Sequence, residues 1–344
     1  MTRRQELTEA QLAALFDPAI EKRDMVRHYT FCEADLAMIR RCRGDHNRLG
    51  YALMLCYLRY PGRHLHAAER PPAALIAFLA EQLDVSPDII DDAAVSEQTR
   101  RRHAAELQYW LRLRPFSARH GADLAKWLLP QAIENDRLSH LAELVLEECR
   151  GRRIIIPPPR TLERLCFTVR YRARCELERR LTDGLLAEHL RLLDCLTKPR
   201  SESAQSWLAW LRQIPEATKP SAMLGIIERL AHVRAIGLDP ARGHRVHQAR
   251  LAQLGREAGR TTAQHIAGYE RLRRHAALVA VTLDLAPSLT DHAIDLFDRL
   301  MGTMFRKAEN RWPRLPERCA RDQREGPAVC KDRRRFDCGA RGEA

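Results

Sequence analysis

Apolar residues recur at three- and four-residue intervals in nearly every segment of this chain, and the apolar–polar alternation of a half-buried strand is almost absent. That periodicity predicts an all-α fold, in which each helix buries one face against its neighbours. The 344 residues allow two or three domains at roughly 100–200 residues each, and 45% hydrophobic residues can fill their cores. No apolar run reaches the about 20 residues that a membrane span needs. The start, Met1-Thr2-Arg3-Arg4-Gln5-Glu6, lacks the apolar stretch of a signal peptide. The expectation is a cytoplasmic protein with no membrane partner.

Punctuation residues divide the helices. Thr8 and Gln11, then Thr30 and Glu33, both fit capping boxes. The second opens a helix over 31–43 that Gly44 closes. Asp45 caps the next, through Leu49, Leu53, Cys56 and Tyr57, until Pro61-Gly62 stops it. Residues 74–94 read as a helix-turn-helix: Ala80 where the helices cross, Asp84 the turn, Val85 and Ile90 core, Ser86-Pro87 the start of the second helix. Asp88, Asp91 and Asp92 on that second helix would repel phosphate, so DNA contacts are expected from elsewhere, including the next helix with Arg101 and Arg102. Trp110 and Trp127 are expected in the core. Further helices follow near 181–196, 205–213, 222–236, 246–258, 263–275 and 277–285. Thr290 is read as the cap of a last, nearly neutral helix through Ile294, Leu296, Phe297, Leu300, Met304 and Phe305, suited to packing or self-association.

Charge is distributed unevenly. Residues 1–150 carry 21 Lys/Arg against 22 Asp/Glu, whereas residues 151–275 carry 24 against 12. The change falls at a stiff hinge, Ile154-Ile155-Ile156-Pro157-Pro158-Pro159, which leads into a long helix with Leu162, Leu165, Val169 and Leu177 on its apolar side and many arginines. An Arg-rich block fits a polyanion, because Arg binds phosphate bidentately and each neutralised phosphate releases counterions; a solvated surface is the bland alternative. Around Gly44, Arg40, Arg41, Arg43 and Arg48 form either a solvated helix end or a phosphate clamp. Trp207 and Trp210 share a face, as a packing stripe or a stacking platform for bases. In the turn Gly259-Arg260-Thr261-Thr262, with Arg271 and Arg273 close by, a helix start offers amides to a phosphate. Ten cysteines form no Cys-x-x-Cys and mostly sit in helical patterns, as small buried apolar groups. No metal site is read from them.

Several runs carry a resemblance. Met25–Thr30, Arg40–Gly50 (Arg-Arg-Cys-Arg-Gly-Asp-His-Asn-Arg-Leu-Gly), Leu55–Gly62, Gln205–Gln213, Gly259–His265 and Leu296–Glu309 (Leu-Phe-Asp-Arg-Leu-Met-Gly-Thr-Met-Phe-Arg-Lys-Ala-Glu) resemble the start of Tn-three family replicative transposases. The resemblance covers about residues 1–310. It implies a bacterial, nucleoid-associated protein whose N-terminal helical domains bind the double-stranded terminal inverted repeats of a transposon. In the family, three acidic residues holding divalent metal in an RNase H-like domain cut and transfer the strands. No strand series for such a domain occurs here, so no catalytic acid is assigned. Mg²⁺ is expected only for that missing domain, and no cofactor for this chain.

The organisation read from sequence is a helical domain over 1–150, a basic DNA-binding region over 151–275, the start of a dimerisation-type region over 276–310, and a tail over 311–344. The tail departs from the family, as a frameshift near Asn310–Arg314 would produce. Arg40, Arg41, Arg43, Arg48, Arg101, Arg102, Arg164, Arg170, Arg172, Arg174, Arg260, Arg271 and Arg273 are the candidate DNA contacts. Arg172 and Arg174, two residues apart, cannot share a helix face, so at least one of them is solvated or paired internally. Three functions stay open: a transposase portion inactive in cleavage by itself, a regulator competing for the transposon ends, and an inert helical fragment.

Overall fold

The computed structural model describes residues 7–311 except 67, 91–96 and 201–203. The tail, and with it Cys319, Cys330 and Cys338, lies outside the described residues, as do Asp91 and Asp92. The described residues are almost entirely helical, with two isolated β-bridges and no sheet. They form two compact units that divide between Arg180 and Leu181.

The first unit is built around a helix that is apolar on every side. Helix α4 (Asp45–Arg59) buries every residue from Tyr51 to Leu58, so it needs neighbours all round. α2 (Lys22–Tyr29), α3 (Glu33–Arg40), α5 (Ala73–Leu83) and α6 (Glu97–Trp110) supply them. The buried Tyr29 hydroxyl accepts from the Ala19 amide at 2.9 Å and donates to the Tyr60 carbonyl at 3.0 Å. α1 (Glu9–Phe16) opens with the expected capping box, Thr8 with Gln11, and packs on α8 (Leu138–Gly151), which pairs with α7 (Ala118–Glu134).

The isoleucine run is part of this unit and not a linker. Ile154, Ile155 and Ile156 are buried, and the Ile155 and Ile156 amides donate to the Arg114 and Gly62 carbonyls, both at 3.0 Å. Gly62 makes that contact with φ +105, a conformation that a side chain rarely tolerates. Helix α9 (Pro159–Thr182) then lays Leu162, Cys166, Val169, Ala173 and Leu177 into the unit, all fully buried. These attachments carry the division of the chain about thirty residues past the boundary read at 150.

The second unit packs against α15 (Arg271–Arg311). α10 (Ala187–Leu196), α12 (Pro220–Ala235), α13 (Gln248–Arg260) and the short α14 (Ala263–Ala267) lie along it, and α11 (Trp207–Arg212) joins through α10. A Cβ at Gly255 would stand 3.1 Å from the Asp284 Cβ, so glycine sets how closely α13 approaches α15. Buried arginines bond backbone carbonyls in this unit. Arg242 donates to Leu181 at 3.0 Å and Asp183 at 2.6 Å, and Arg229 to Trp210 at 3.0 Å and Gly225 at 2.7 Å.

Several local expectations are corrected. Thr30 does not open α3: Cys32 is the N-cap with Asp35 closing the box, and the Thr30 hydroxyl bonds back to the Val26 carbonyl at 2.7 Å. Cys32 is accordingly exposed. Thr290 is no cap either. α15 runs from Arg271 through 276, Pro287 and Thr290 without a break, held by the buried Leu285 and Leu289 on either side of an exposed proline. Of the second half of the expected helix-turn-helix, the described part is a 3₁₀ turn, Pro87–Ile90, after Asp84 at φ +55, and 91–94 lie outside the described residues. Trp110 is exposed, because α6 turns His103 and Leu107 to the core instead.

Two predictions follow from this packing. Arg242→Leu leaves a set of buried carbonyls unpaired and should cost the second unit about 1–3 kcal/mol in urea unfolding, whereas the exposed Arg256→Ala should stay within roughly 0.5 kcal/mol. Asp35 is buried, which raises its pKa, but the ion pair with Arg59 and the Cys32 amide outweigh this and hold it below the usual range. A depressed carboxylate stabilises above its unfolded value and loses that contribution as pH falls through the folded one. Asp35→Asn should therefore lower stability at neutral pH and flatten the decline below about pH 4, measured as Tm against pH.

Candidate nucleic-acid interface

Three surfaces collect the candidate arginines. The first lies where α3 gives way to α4. Arg40, Arg41 and Arg43 are exposed on either side of Cys42, and the Arg43 carbonyl accepts from the Asn47 side chain at 2.8 Å. Arg48 is drawn inward: it pairs with Asp45 at 2.9 Å and donates to the Cys42 carbonyl at 3.2 Å. α6 meets α4 here, with the buried His103 ring edge-on to Tyr51 at 5.0 Å. That contact brings Arg102 to the same neighbourhood. The Cys42 thiol is pushed up by burial and by Glu106, and pulled down by Arg102 and Arg48 together. Arg48 and Arg102, far apart in sequence, thus both act on one thiol. Arg101 is exposed but paired with Glu97 at 3.1 Å.

The second surface is the outer side of α9. Its core-facing residues fix the helix rotation, and Arg164 and Arg172 point to solvent together with Arg160, four residues earlier. Arg160, Arg164, Thr168 and Arg172 form one row at four-residue steps. Thr168 keeps its hydroxyl on the Arg164 carbonyl at 2.8 Å. The other two candidates on α9 lie elsewhere. Arg174 pairs at 2.9 Å with Glu178, which is buried, so in the 172/174 pair it is Arg174 that is paired internally. Arg170 is half-buried beside Cys166, whose thiol burial pushes up to about 12.

The third surface is the corner from α13 to α15. Thr262 caps α14 by accepting from the His265 amide at 3.2 Å. Arg212 donates to the Ala258 carbonyl at 2.5 Å and the Thr261 carbonyl at 2.7 Å, fixing the turn from behind. Thr197, Ser206, Arg212, Arg260, Thr262 and Gln264 line an open groove there. Arg260 and Arg271 are exposed. Arg273 is half-buried with its guanidinium 3.9 Å from the centre of the Tyr269 ring, and Arg274 pairs with Asp194 at 3.0 Å.

Trp207 and Trp210 do share a face, edge to face at 5.7 Å, but it is a packed one. Trp207 stacks on His232 at 4.4 Å, and Arg200 and Arg229 lie over Trp210 at 4.3 and 4.5 Å. Arg160 was missed in the sequence because it directly follows the proline run; counting back one turn from Arg164 finds it. Among the described residues no group of three or more His, Cys, Asp or Glu is placed to hold a metal ion, and no helix is long and apolar enough to cross a membrane.

The described residues thus form an all-helical protein with three arginine-bearing surfaces. Residues 7–169 match the family model for a domain of unknown function, DUF4158. Over 311 residues, nine-tenths of this chain, it is 38% identical to the transposase for transposon Tn3926 and 37% identical to that for Tn21, both of Escherichia coli. It is 35% identical to the transposase for Tn501 of Pseudomonas aeruginosa over the same length. These homologues are Tn-three family transposases, and the chain spans about a third, 31–32%, of their length.

The meeting of α6 with the α3–α4 junction can be checked by thiol chemistry. Arg102→Ala removes one of the cations favouring the Cys42 thiolate, so alkylation of Cys42 by iodoacetamide should slow relative to the exposed Cys32, read by peptide mass spectrometry. An unchanged ratio would mean that Arg102 lies away from Cys42.

Proposed function

We propose that this chain is the DNA-binding portion of a Tn-three family transposase and that it recognises the terminal inverted repeats of its transposon. The observation that supports this most is the row on α9. Arg160, Arg164 and Arg172 project from one side of a rigid helix with no ion-pair partner among the described residues. Their span is about 18 Å at 1.5 Å per residue, over which one strand of B-DNA presents about five phosphates. The three guanidiniums anchor the phosphate backbone, and Arg40, Arg43, Arg260 and Arg271 extend the anchoring from their own surfaces.

Base reading falls to a helix that can enter the major groove. On α6, Gln98, Arg101, Arg102 and Ala105 are all exposed, with small Ala105 permitting close approach. In this reading strand cleavage and transfer belong to parts of the relatives that this chain does not span. The chain itself needs no cofactor, and incubation with Mg²⁺ should leave the DNA uncut. Its place is the bacterial cytoplasm, on the nucleoid.

The test is fluorescence anisotropy with the inverted-repeat duplex and a scrambled one over a range of salt. A preference of about 10³ or more, with a steep salt slope, is expected; equal weak affinity for both duplexes would leave only a basic helical protein. Arg164→Ala and Arg172→Ala should each weaken binding to both duplexes and lower the salt slope by about 1. Arg174→Ala, which breaks an internal pair, should leave the slope unchanged.

A further inference from the structure

α6 and α8 end in the same way. The Leu113 amide donates to the Gln108 carbonyl and the Ile154 amide to the Cys149 carbonyl, both at 2.8 Å. Each bond closes over a residue in the left-handed region, Arg112 at φ +53 and Arg153 at φ +57. Glycine is favoured at that place because a side chain there is strained. Elsewhere the chain uses it, with Gly184 after α9 and Gly237 after α12. The helix dipole does not explain the two arginines, since a cation complements it from anywhere in the last turn. Strain held twice in one place points to a use for the side chains themselves.

The two helix ends are joined. The Arg114 amide donates to the Arg153 carbonyl at 2.8 Å, and the Arg114 guanidinium to the Arg152 carbonyl at 3.0 Å. Arg112 and Arg153 therefore extend from neighbouring backbones, both exposed and with no ion-pair partner among the described residues. Glu148, the last acid of α8, is taken by Arg152 at 2.7 Å. Tyr109 stands one turn before Arg112, whose amide donates to its carbonyl at 3.1 Å, and it is 88% exposed. A ring so open to water gains only when another surface covers it. Two guanidiniums beside an uncovered ring match a nucleic-acid backbone, in which charged phosphates alternate with sugars. We infer that Arg112 and Arg153 grip the phosphates of a DNA strand, with Tyr109 packed on an adjoining sugar. The inference rests on the DNA reading above but not on recognition of the inverted repeats, and it adds a surface that none of the three candidate clusters contains.

Salt titration of binding by the full chain, on the inverted-repeat and scrambled duplexes alike, tests it. Glycine suits both backbone positions, so Arg112→Gly with Arg153→Gly removes the guanidiniums while the unfolding temperature stays at the wild-type value or rises. This double variant should bind both duplexes about tenfold or more weakly, with a salt slope lower by about 2. Neutralising single phosphates as methylphosphonates should weaken the wild type at one or two positions to which the double variant is indifferent. Tyr109→Ala should weaken binding several-fold with the slope unchanged; an unchanged affinity overturns the sugar contact. A double variant that keeps the wild-type slope overturns the clamp, and so does one that unfolds early, because the arginines would then be holding the fold. If millimolar inorganic phosphate raises the unfolding temperature of the wild type and not of the double variant, while the slope on DNA is unchanged, the site takes a free anion and the assignment to DNA falls. A wild type that prefers neither duplex, with the loss of slope intact, sinks only the reading of the inverted repeats.

Discussion

A chain built of helices joined by short turns has many helix ends, and each leaves carbonyls with no partner inside the helix. Here arginine side chains reach across from other elements to meet them. Arg63 donates to the Phe16 carbonyl at the end of α1, Arg48 to Cys42 beyond α3, and Arg114 to Arg152 at the end of α8. Arg212 does the same for α13, and Arg242 with Arg245 for the end of α9. A guanidinium suits this task because its fork of donors bonds two carbonyls at once while its stem lies along apolar surface. Its charge also opposes the negative end of the helix dipole.

The consequence for function is that net charge overstates what a partner meets. Part of the excess in residues 151–275 lies inside the second unit, on Arg212, Arg229 and Arg242, and Arg274 is paired with Asp194. Burial lowers the pKa of Arg212, Arg229 and Arg242, yet each keeps carbonyl acceptors. The arginines left facing solvent are fewer and more ordered than composition implies. The candidate DNA contacts among them lie on one side of α9, around the α3–α4 junction with α6 in the first unit, and at one corner of the second.

Helical class and most helix positions were legible in the sequence because three-to-four periodicity survives in every element. Details failed where a side chain had two chemistries open to it. Thr30 fits an N-cap, but its hydroxyl bonds the preceding turn, and Cys32 takes the N-cap position with its amide bonded to the Asp35 carboxylate. A break was read between Leu285 and Thr290, yet the leucines on both sides of Pro287 hold one continuous helix. The hinge was placed after the first domain because three prolines hide that the isoleucines before them are buried and bonded to Gly62 and Arg114. Which arginines face solvent was legible only in part. Spacing told Arg172 from Arg174, but no spacing shows that Arg242 ends at the carbonyl of Leu181.

The outer row of α9 illustrates why a rigid helix makes a better anchor than a basic loop. Its rotation is set by five buried side chains, so the arginines are aimed before any partner arrives and less freedom is lost on binding. The three acids of this helix are already occupied. Glu163 accepts the Leu7 amide at 3.1 Å, Glu178 holds Arg174, and Glu176 is held at about 2 by hydrogen bonds from Arg179 and Arg180. Glu176 therefore stays ionised at any physiological pH and its charge is met by its own helix turn. An acid left unpaired beside Arg164 or Arg172 would repel phosphate or compete for the guanidinium. With Glu176 and Glu178 turned to arginines of their own helix and Glu163 to the Leu7 amide, Arg160, Arg164 and Arg172 keep no carboxylate partner among the described residues.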